Sequence, residues 1–174
     1  MRLHKLTLLS LFTTLSLIIF ALESVIPPLV PVPGIKLGLS NIITLILIRE
    51  YSARDTLLVL LARILLASFL FGQAISLLYS LAGGLLSLGA MLLVNRLLNR
   101  RYLFLTSTVG GLFHNLGQLL IALFLTQVIG VLAYLPFLIL SGIVTGLFTG
   151  LCAHFAHKYL IRAIRKAAAS SSSE

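Results

Sequence analysis

Apolar runs of membrane-spanning length fill most of this chain, and short basic gaps separate them. The 174 residues are 59% hydrophobic and only 10% charged, with a mean hydropathy of +1.13. A helix needs about 20 apolar residues to cross the hydrocarbon layer, so the runs predict several spanning helices and leave little length for a soluble domain. We therefore expect an all-α membrane protein.

Six apolar segments can be drawn, with boundaries that sequence patterns fix only to within several residues. They cover residues 6–26, 35–48, 56–71, 74–94, 102–129 and 131–161. The sequence thus predicts one bundle of six transmembrane helices within residues 1–166. The remaining stretch, residues 167–174, reads AAASSSSE, and its low complexity predicts a disordered tail.

The basic residues indicate how the bundle is oriented. Most of the thirteen Lys and Arg residues fall in every second gap. By the positive-inside rule these gaps and both termini are cytoplasmic. The net charge of +9 does not indicate a nucleic-acid partner, because the basic residues gather on no soluble face. Arg63, inside the third segment, is predicted to be structural, either snorkelling to the surface or pairing internally.

The segment of residues 23–41, ESVIPPLVPVPGIKLGLSN, brings a carboxylate, several prolines and a lysine between two apolar runs. An ionisable side chain near hydrocarbon costs roughly 2.5 to 3.5 kcal/mol, so such a segment indicates function. The prolines exclude regular helix, and the apolar run that follows is short for a crossing. Irregular backbone at membrane depth is tolerated only inside protein or beside a cavity. We expect the chain to dip back and cap a cavity here; the alternative is an ordinary stiff outer loop.

Polar side chains from three segments are candidates for the lining of that cavity. His114 and Gln118 lie one helical turn apart in GGLFHNLGQ, and Asn115 stands beside them. Glu23 lies about 26 Å from the cytoplasmic side by helix arithmetic, which favours a site in the outer half. The predicted substrate-binding residues are Glu23, Lys36, Ser40, Asn41, His114, Asn115 and Gln118. Two alternatives stay open: an ion pair between Glu23 and Lys36, and a hydrogen-bond cluster without a ligand.

Small residues at four-residue spacing predict where helices touch. Gly142, Gly146 and Gly150 form a ridge in the sixth segment, and helices in lipid associate through such close approach. Internal packing is favoured over a partner or a self-assembled pore. Ser10 and Thr14 make a weaker strip in the first segment.

Motifs for catalysis are mostly absent from the sequence. The four acidic residues are scattered, whereas metal-dependent diphosphate chemistry needs clustered carboxylates. There is also no Walker A motif to power transport. We therefore predict no enzyme activity, no cofactor and no metal site. The single cysteine, Cys152, excludes an internal disulfide.

The motifs PGIKLGLSN at residues 33–41, Arg63 with the following ILLASFLFG, and GGLFHNLGQ at residues 110–118 carry a family resemblance. With Glu23, they make the chain similar to the bacterial membrane family labelled Gx transporter or heptaprenyl diphosphate synthase component I. That family is similar in size and hydropathy to the S components of energy-coupling factor (ECF) transporters, which capture vitamins or their precursors near the outer face.

The resemblance implies a multi-pass protein of the bacterial cell membrane that takes up a small-molecule substrate. Such a subunit works with an ATPase pair and a transmembrane coupling subunit in trans. The synthase label implies instead a non-catalytic membrane subunit or escort of a prenyl diphosphate synthase in isoprenoid metabolism. S components carry an alanine-x-x-x-alanine strip on the first helix for docking, and this chain has Ser10 and Thr14 at the nearest comparable spacing.

Overall fold

A computed structural model describes the backbone of residues 2–26, 36–71, 74–98 and 102–171, and within these ranges the side chains of residues 3–159. Every regular element in this part of the chain is helical. The α-helices are α1 (Arg2–Val25), α2 (Asn41–Glu50), α3 (Ala53–Phe71), α4 (Ala74–Leu97), α5 (Leu103–Thr126) and α6 (Leu135–Ser171). A 3-10 turn over Ile129–Tyr134 joins α5 to α6. The predicted all-α bundle is thereby confirmed, while the proline loop of residues 27–35 lies outside the described residues.

The helices differ in how much of a membrane they can cross. Among the described residues, four stretches are long and apolar enough to span it: Leu3–Val25, Ala74–Leu97, Leu103–Thr126 and Ile129–Tyr159. α3 has 19 residues, about 28 Å, but it carries charged side chains. α2 has only 10 residues, about 15 Å, which is half of a hydrocarbon layer of about 30 Å. The second segment is therefore a half-length helix, as its short apolar run indicates.

This half-length helix lies at the centre of the bundle. α2 contacts each of the other five α-helices, and residues 43–48 are all buried. Around it α1 packs on α3, α3 on α4, α4 on α5 and α5 on α6. Within the described residues α1 and α6 do not pack on each other, so the ring of helices is open on that side.

Short polar motifs fix the end of the bundle where α2 stops and α3 starts, which we call the basic end. The Ser52 backbone N–H donates to Asp55 Oδ2 at 3.2 Å, and the Asp55 backbone N–H donates to Ser52 Oγ at 3.3 Å. This reciprocal pair is a capping box for α3. Asp55 also pairs with Lys5 at 2.8 Å, and Glu50 pairs with His157 at 2.6 Å. These contacts tie α1 to α3 and α2 to α6.

The glycine ridge of α6 lies against α5. A Cβ atom on Gly146 would lie 2.6 Å from the Thr108 Cα, and one on Gly142 would lie 3.0 Å from the Leu112 Cα. Gly150 approaches the first turns of α5 in the same way. The distance at Gly146 leaves no room for a side chain, and those at Gly142 and Gly150 are tight, so the ridge makes an internal helix contact. The outcome agrees with the close packing that small residues permit in lipid.

Ser10 and Thr14 lie on the outer surface of α1. Both are exposed, and the Thr14 hydroxyl donates to the Ser10 carbonyl of its own helix at 3.0 Å. Their strip therefore faces away from the other described helices.

The backbone of α6 continues to Ser171. It takes in residues 167–171 of the stretch for which the sequence predicts disorder, and residues 172–174 lie outside the described part of the chain. The division into a bundle and a disordered tail stays a prediction.

Candidate functional site

Polar side chains from α1, α2, α3, α5 and the segment before α2 meet inside the bundle. We call this group the polar centre, and its members are Glu23, Lys36, Ser40, Asn41, Arg63, His114 and Gln118. All are buried except Lys36, which is half-buried. Ser40 precedes α2 and so lies about 15 Å along that helix from the basic end. The group therefore lies at the end of α2 away from the basic end, and its place in the outer half of the bundle stays a prediction.

Glu23 holds the backbone of the segment before α2. Its Oε1 accepts the Gly38 N–H at 2.5 Å, and its Oε2 accepts the Leu39 N–H at 3.0 Å. The positive charges of Arg63 and Lys36 also act on this carboxylate. Both carboxylate oxygens are thus engaged by main-chain donors, a use that neither the ligand hypothesis nor the ion-pair alternative predicts.

Lys36 contacts two residues that sequence reasoning missed. Its Nζ donates to Ser24 Oγ at 3.0 Å and lies 3.7 Å from the centroid of the Phe20 ring. A cation over an aromatic face is attracted by the ring quadrupole. Phe20 lies three residues before Glu23, and Ser24 lies one residue after it. Residues three apart share a face of a helix, so the spacing from Glu23 could have pointed to Phe20.

Arg63 pairs inside the bundle and does not reach the surface. Its Nη1 donates to Ser40 Oγ, and its guanidinium carbon lies 5.8 Å from the Phe20 ring centroid. The side chain is only 3% exposed. Arg63 on α3 therefore fixes the start of α2. This internal pairing is one of the two structural roles that the sequence predicts for Arg63.

His114 fits between the segment before α2 and the backbone of α4. Its Nε2 lies 3.1 Å from Gln118 Nε2, and Gln118 Oε1 accepts the Lys36 backbone N–H at 3.3 Å. Gly38 has φ +79°, and a Cβ atom there would lie 2.7 Å from His114 Cδ2. On the other side, a Cβ atom on Gly83 would lie 2.9 Å from His114 Nδ1. Only glycine at both positions lets the imidazole sit here.

One buried atom of the polar centre, Asn41 Oδ1, has no hydrogen-bond partner among the described residues. His114 Nδ1 faces the Gly83 backbone of α4. Leaving a buried polar atom unsatisfied costs about 1 to 3 kcal/mol. Native structures hold few such atoms, and each calls for an explanation such as a missing water, ion or ligand.

Asn115 lies on a neighbouring face of α5. Its Nδ2 donates to the Leu138 carbonyl of α6 at 2.8 Å. It also lines a cleft of about 170 Å³ between α5 and α6. Of the seven predicted substrate-binding residues the structure thus brings six together, and it puts Asn115 in a helix contact.

A separate groove occupies the gap between α1 and α6. Its volume is about 470 Å³, and its floor is formed by α2. Apolar side chains and one tyrosine line it: Leu15, Ile19, Ile42, Ile43, Ile46, Ala156 and Tyr159. No polar residue of the predicted site faces this groove.

Comparison with known proteins gives one match. Residues 12–156 match the model of the family described as heptaprenyl diphosphate synthase component I. No curated protein and no solved structure matches the chain. The matched region runs from α1 into α6 and contains the whole polar centre. The chain therefore belongs to the heptaprenyl diphosphate synthase component I family, as a helical membrane member of it.

Proposed function

We propose that this protein is a membrane subunit that binds a small polar molecule at its polar centre and catalyses no reaction. The observation that carries the proposal is the unsatisfied buried Oδ1 of Asn41 within one cluster of polar side chains. A ligand that donates a hydrogen bond to it would remove the cost of leaving it unpaired. Among the described residues no group of three His, Cys, Asp or Glu side chains could hold a metal ion.

The segment of residues 36–40 covers the polar centre on the side away from the basic end. Its contacts with Glu23, Arg63 and Gln118 are hydrogen bonds, which a polar ligand can exchange for its own. We infer that the ligand enters from that side and that this segment moves to admit it. Lys36, half-buried beside Ser24, is the first cation that an entering molecule meets.

In transport, the subunit would act as an S component of an ECF-type vitamin or precursor transporter. It would reside in the bacterial inner membrane with both termini and the basic end in the cytoplasm. An ATPase pair and a transmembrane coupling subunit would supply the energy in trans. Ser10 and Thr14 leave a small-residue surface exposed on α1 that a coupling subunit could contact.

Ligand retention tests the proposal. The protein would be purified from its native membrane and examined by native mass spectrometry for a bound small molecule. Asn41→Leu removes the unsatisfied oxygen, so it should keep or raise thermal stability and lose the ligand. Asn115→Leu is the matched control: it breaks the bond to Leu138, so it should lose stability and keep the ligand. Equal retention in wild type and Asn41→Leu, or no bound molecule in wild type, would overturn the proposal.

A second candidate is a non-catalytic membrane subunit or escort of a prenyl diphosphate synthase. The family description and the apolar groove of about 470 Å³ beside α2 support it, because such a groove suits a long hydrocarbon chain. A synthase assay with the catalytic partner would be run with and without this chain. An unchanged product length and rate would count against this candidate.

A further inference from the structure

The turn before α2 has the geometry of an anion-binding site. Two successive backbone N–H groups, those of Gly38 and Leu39, point at one carboxylate, with donor–acceptor distances of 2.5 and 3.0 Å. Gly38 reaches this arrangement through its φ of +79°. Successive N–H groups around such a left-handed residue make a concave nest for anions. α2 starts directly after it, and a helix N-terminus adds positive potential.

The anion that fills this nest belongs to the protein itself. Glu23 reaches the turn from α1, and no other acidic residue among those that the structure describes contacts it. Of the remaining acids, Glu50 and Asp55 are paired at the basic end, and Glu174 is the last residue. Within the described part of the chain, Glu23 is thus the sole acid of the polar centre.

The formal charge of the polar centre is positive. Lys36 and Arg63 contribute two positive charges, and Glu23 contributes one negative charge. An excess charge inside a membrane-spanning bundle is disfavoured. One further negative charge, brought by a ligand, would make the sum zero.

A second and independent observation points to a ligand at the same turn. Asn41 is the first residue of α2, is 4% exposed and has an Oδ1 without a hydrogen-bond partner. Its side chain lies over the turn, since a Cβ atom on Gly38 would be 3.0 Å from Asn41 Nδ2. A carbonyl oxygen accepts hydrogen bonds, so the missing partner is a donor.

We propose that the turn of residues 38–41 is an oxyanion site that Glu23 occupies as an internal substitute for the ligand. The ligand is a small monoanion whose carboxylate or phosphate-type group displaces Glu23 and whose hydroxyl or amino group donates to Asn41. The identity of this ligand rests on the proposed function, whereas the oxyanion site itself does not. Displacement of Glu23 removes the hydrogen bonds that hold Gly38 and Leu39 to α1, which couples ligand binding to movement of that turn.

Chemical rescue of Glu23→Ala tests the oxyanion site. This variant empties the nest, and acetate should refill it and raise the midpoint of thermal unfolding by about 4 °C or more, in a saturable way. Acetamide, the neutral analogue, and chloride at equal ionic strength should have no such effect. Glu23→Gln fills the space, and Glu50→Ala lies at the basic end, so acetate should stabilise neither. Equal stabilisation by acetamide, or none by acetate, would overturn the oxyanion site.

The oxyanion site can also be tested if Glu23→Ala fails to fold. The variant would then be expressed and purified with acetate or with acetamide present, and the yield of monodisperse protein compared. A yield that rises only with acetate supports the site, and equal yields refute it. If acetate rescues the variant but wild type retains no molecule, the oxyanion site is supported and the proposed function is rejected. If wild type retains a molecule but acetate does not rescue the variant, the proposed function is supported and the oxyanion site is rejected.

Discussion

The two halves of the bundle are held together in different ways. In α4–α6 the helices touch through glycines, with gaps too small for any Cβ atom at Gly146 or Gly117. In α1–α3 the segment before α2 is held by hydrogen bonds that it donates to Glu23 and accepts from Arg63. One half thus relies on backbone contact, and the other on polar side chains.

The difference teaches how a membrane protein can combine a fixed frame with an adaptable site. Lipid tails are as apolar as leucine, so helices in a bilayer associate by close packing or by polar contacts rather than by the hydrophobic effect. A ligand cannot take the place of a backbone that is packed directly against another helix. A ligand can take the place of a hydrogen-bond partner, because it can donate or accept the same hydrogen bond. α5 belongs to the fixed half and presents His114 and Gln118 to the adaptable half.

The largest effect should come from breaking the fixed half. Gly146→Leu forces a side chain into the backbone of α5, where even a Cβ atom would lie 2.6 Å from Thr108 Cα, and we expect a loss of about 3 kcal/mol or more. Gly89→Leu is the control, because nothing lies within 4 Å of a Cβ atom there, and it should change stability by about 0.5 kcal/mol or less. Size-exclusion chromatography after heating measures both. Similar losses in the two variants would refute the contrast.

The next largest effect should come from Glu23→Gln in the adaptable half. The amide loses the charge and one acceptor for the Gly38 and Leu39 N–H groups, at an expected cost of about 1 to 3 kcal/mol. This loss of stability should be confined to the segment before α2. A cysteine introduced as Leu39→Cys in a Cys152→Ser background should react faster with a polar thiol reagent when Glu23→Gln is added. Glu50→Gln, at the basic end, should leave that rate unchanged.

A polar contact inside the fixed half should matter less. Ser107 Oγ and Thr149 Oγ1 lie 2.8 Å apart between α5 and α6. Hydrogen bonds between membrane helices average about 0.6 kcal/mol in double-mutant cycles, and we expect Ser107→Ala to cost about that amount. Thermal unfolding of Ser107→Ala, Thr149→Ala and the double variant measures the coupling. A coupling as large as the Glu23→Gln effect would erase the distinction between the halves.

The smallest effect should be a pH dependence at the basic end. The Lys5 ammonium, followed by the Ser52 hydroxyl, holds the pKa of Asp55 below its usual range. A carboxyl with a lower pKa when folded stabilises the protein above its unfolded pKa of about 3.9 and loses this contribution as the pH falls through the folded pKa. Wild type should therefore lose stability below about pH 4, and Asp55→Asn should show a flatter profile. Because the Lys5 side chain is 50% exposed, solvent screening keeps the difference small, and identical profiles would show that the pair contributes nothing.

Much of the fold could be predicted from the sequence. Apolar run length separates the long helices from α2. The four-residue spacing of Gly142, Gly146 and Gly150 indicates a close helix contact, and the structure puts it against α5. These features depend on length and on side-chain size, which a sequence states directly.

The rotation of each helix could not be predicted, and with it much of the site. The lipid side and the inner side of a membrane helix can be equally apolar, so periodicity does not tell them apart. His114 and Asn115 are neighbours in sequence, yet one faces the segment before α2 and the other faces α6. Ser10 and Thr14 have the spacing of a packing strip and lie on the outer surface. The use of Glu23 by two main-chain donors also required the structure, since backbone hydrogen bonds leave no mark on side-chain patterns.

The half-length of α2 has a consequence for how the protein enters its membrane. Ten residues are too few for a segment to partition into the bilayer as an independent unit. The backbone groups of residues 36–40 would also be unsatisfied there until Glu23 and Gln118 are in place to receive them. We expect α2 to be inserted late, after α5 has been synthesised and has packed beside α4. The central helix of the finished bundle would then be the last one to reach its position.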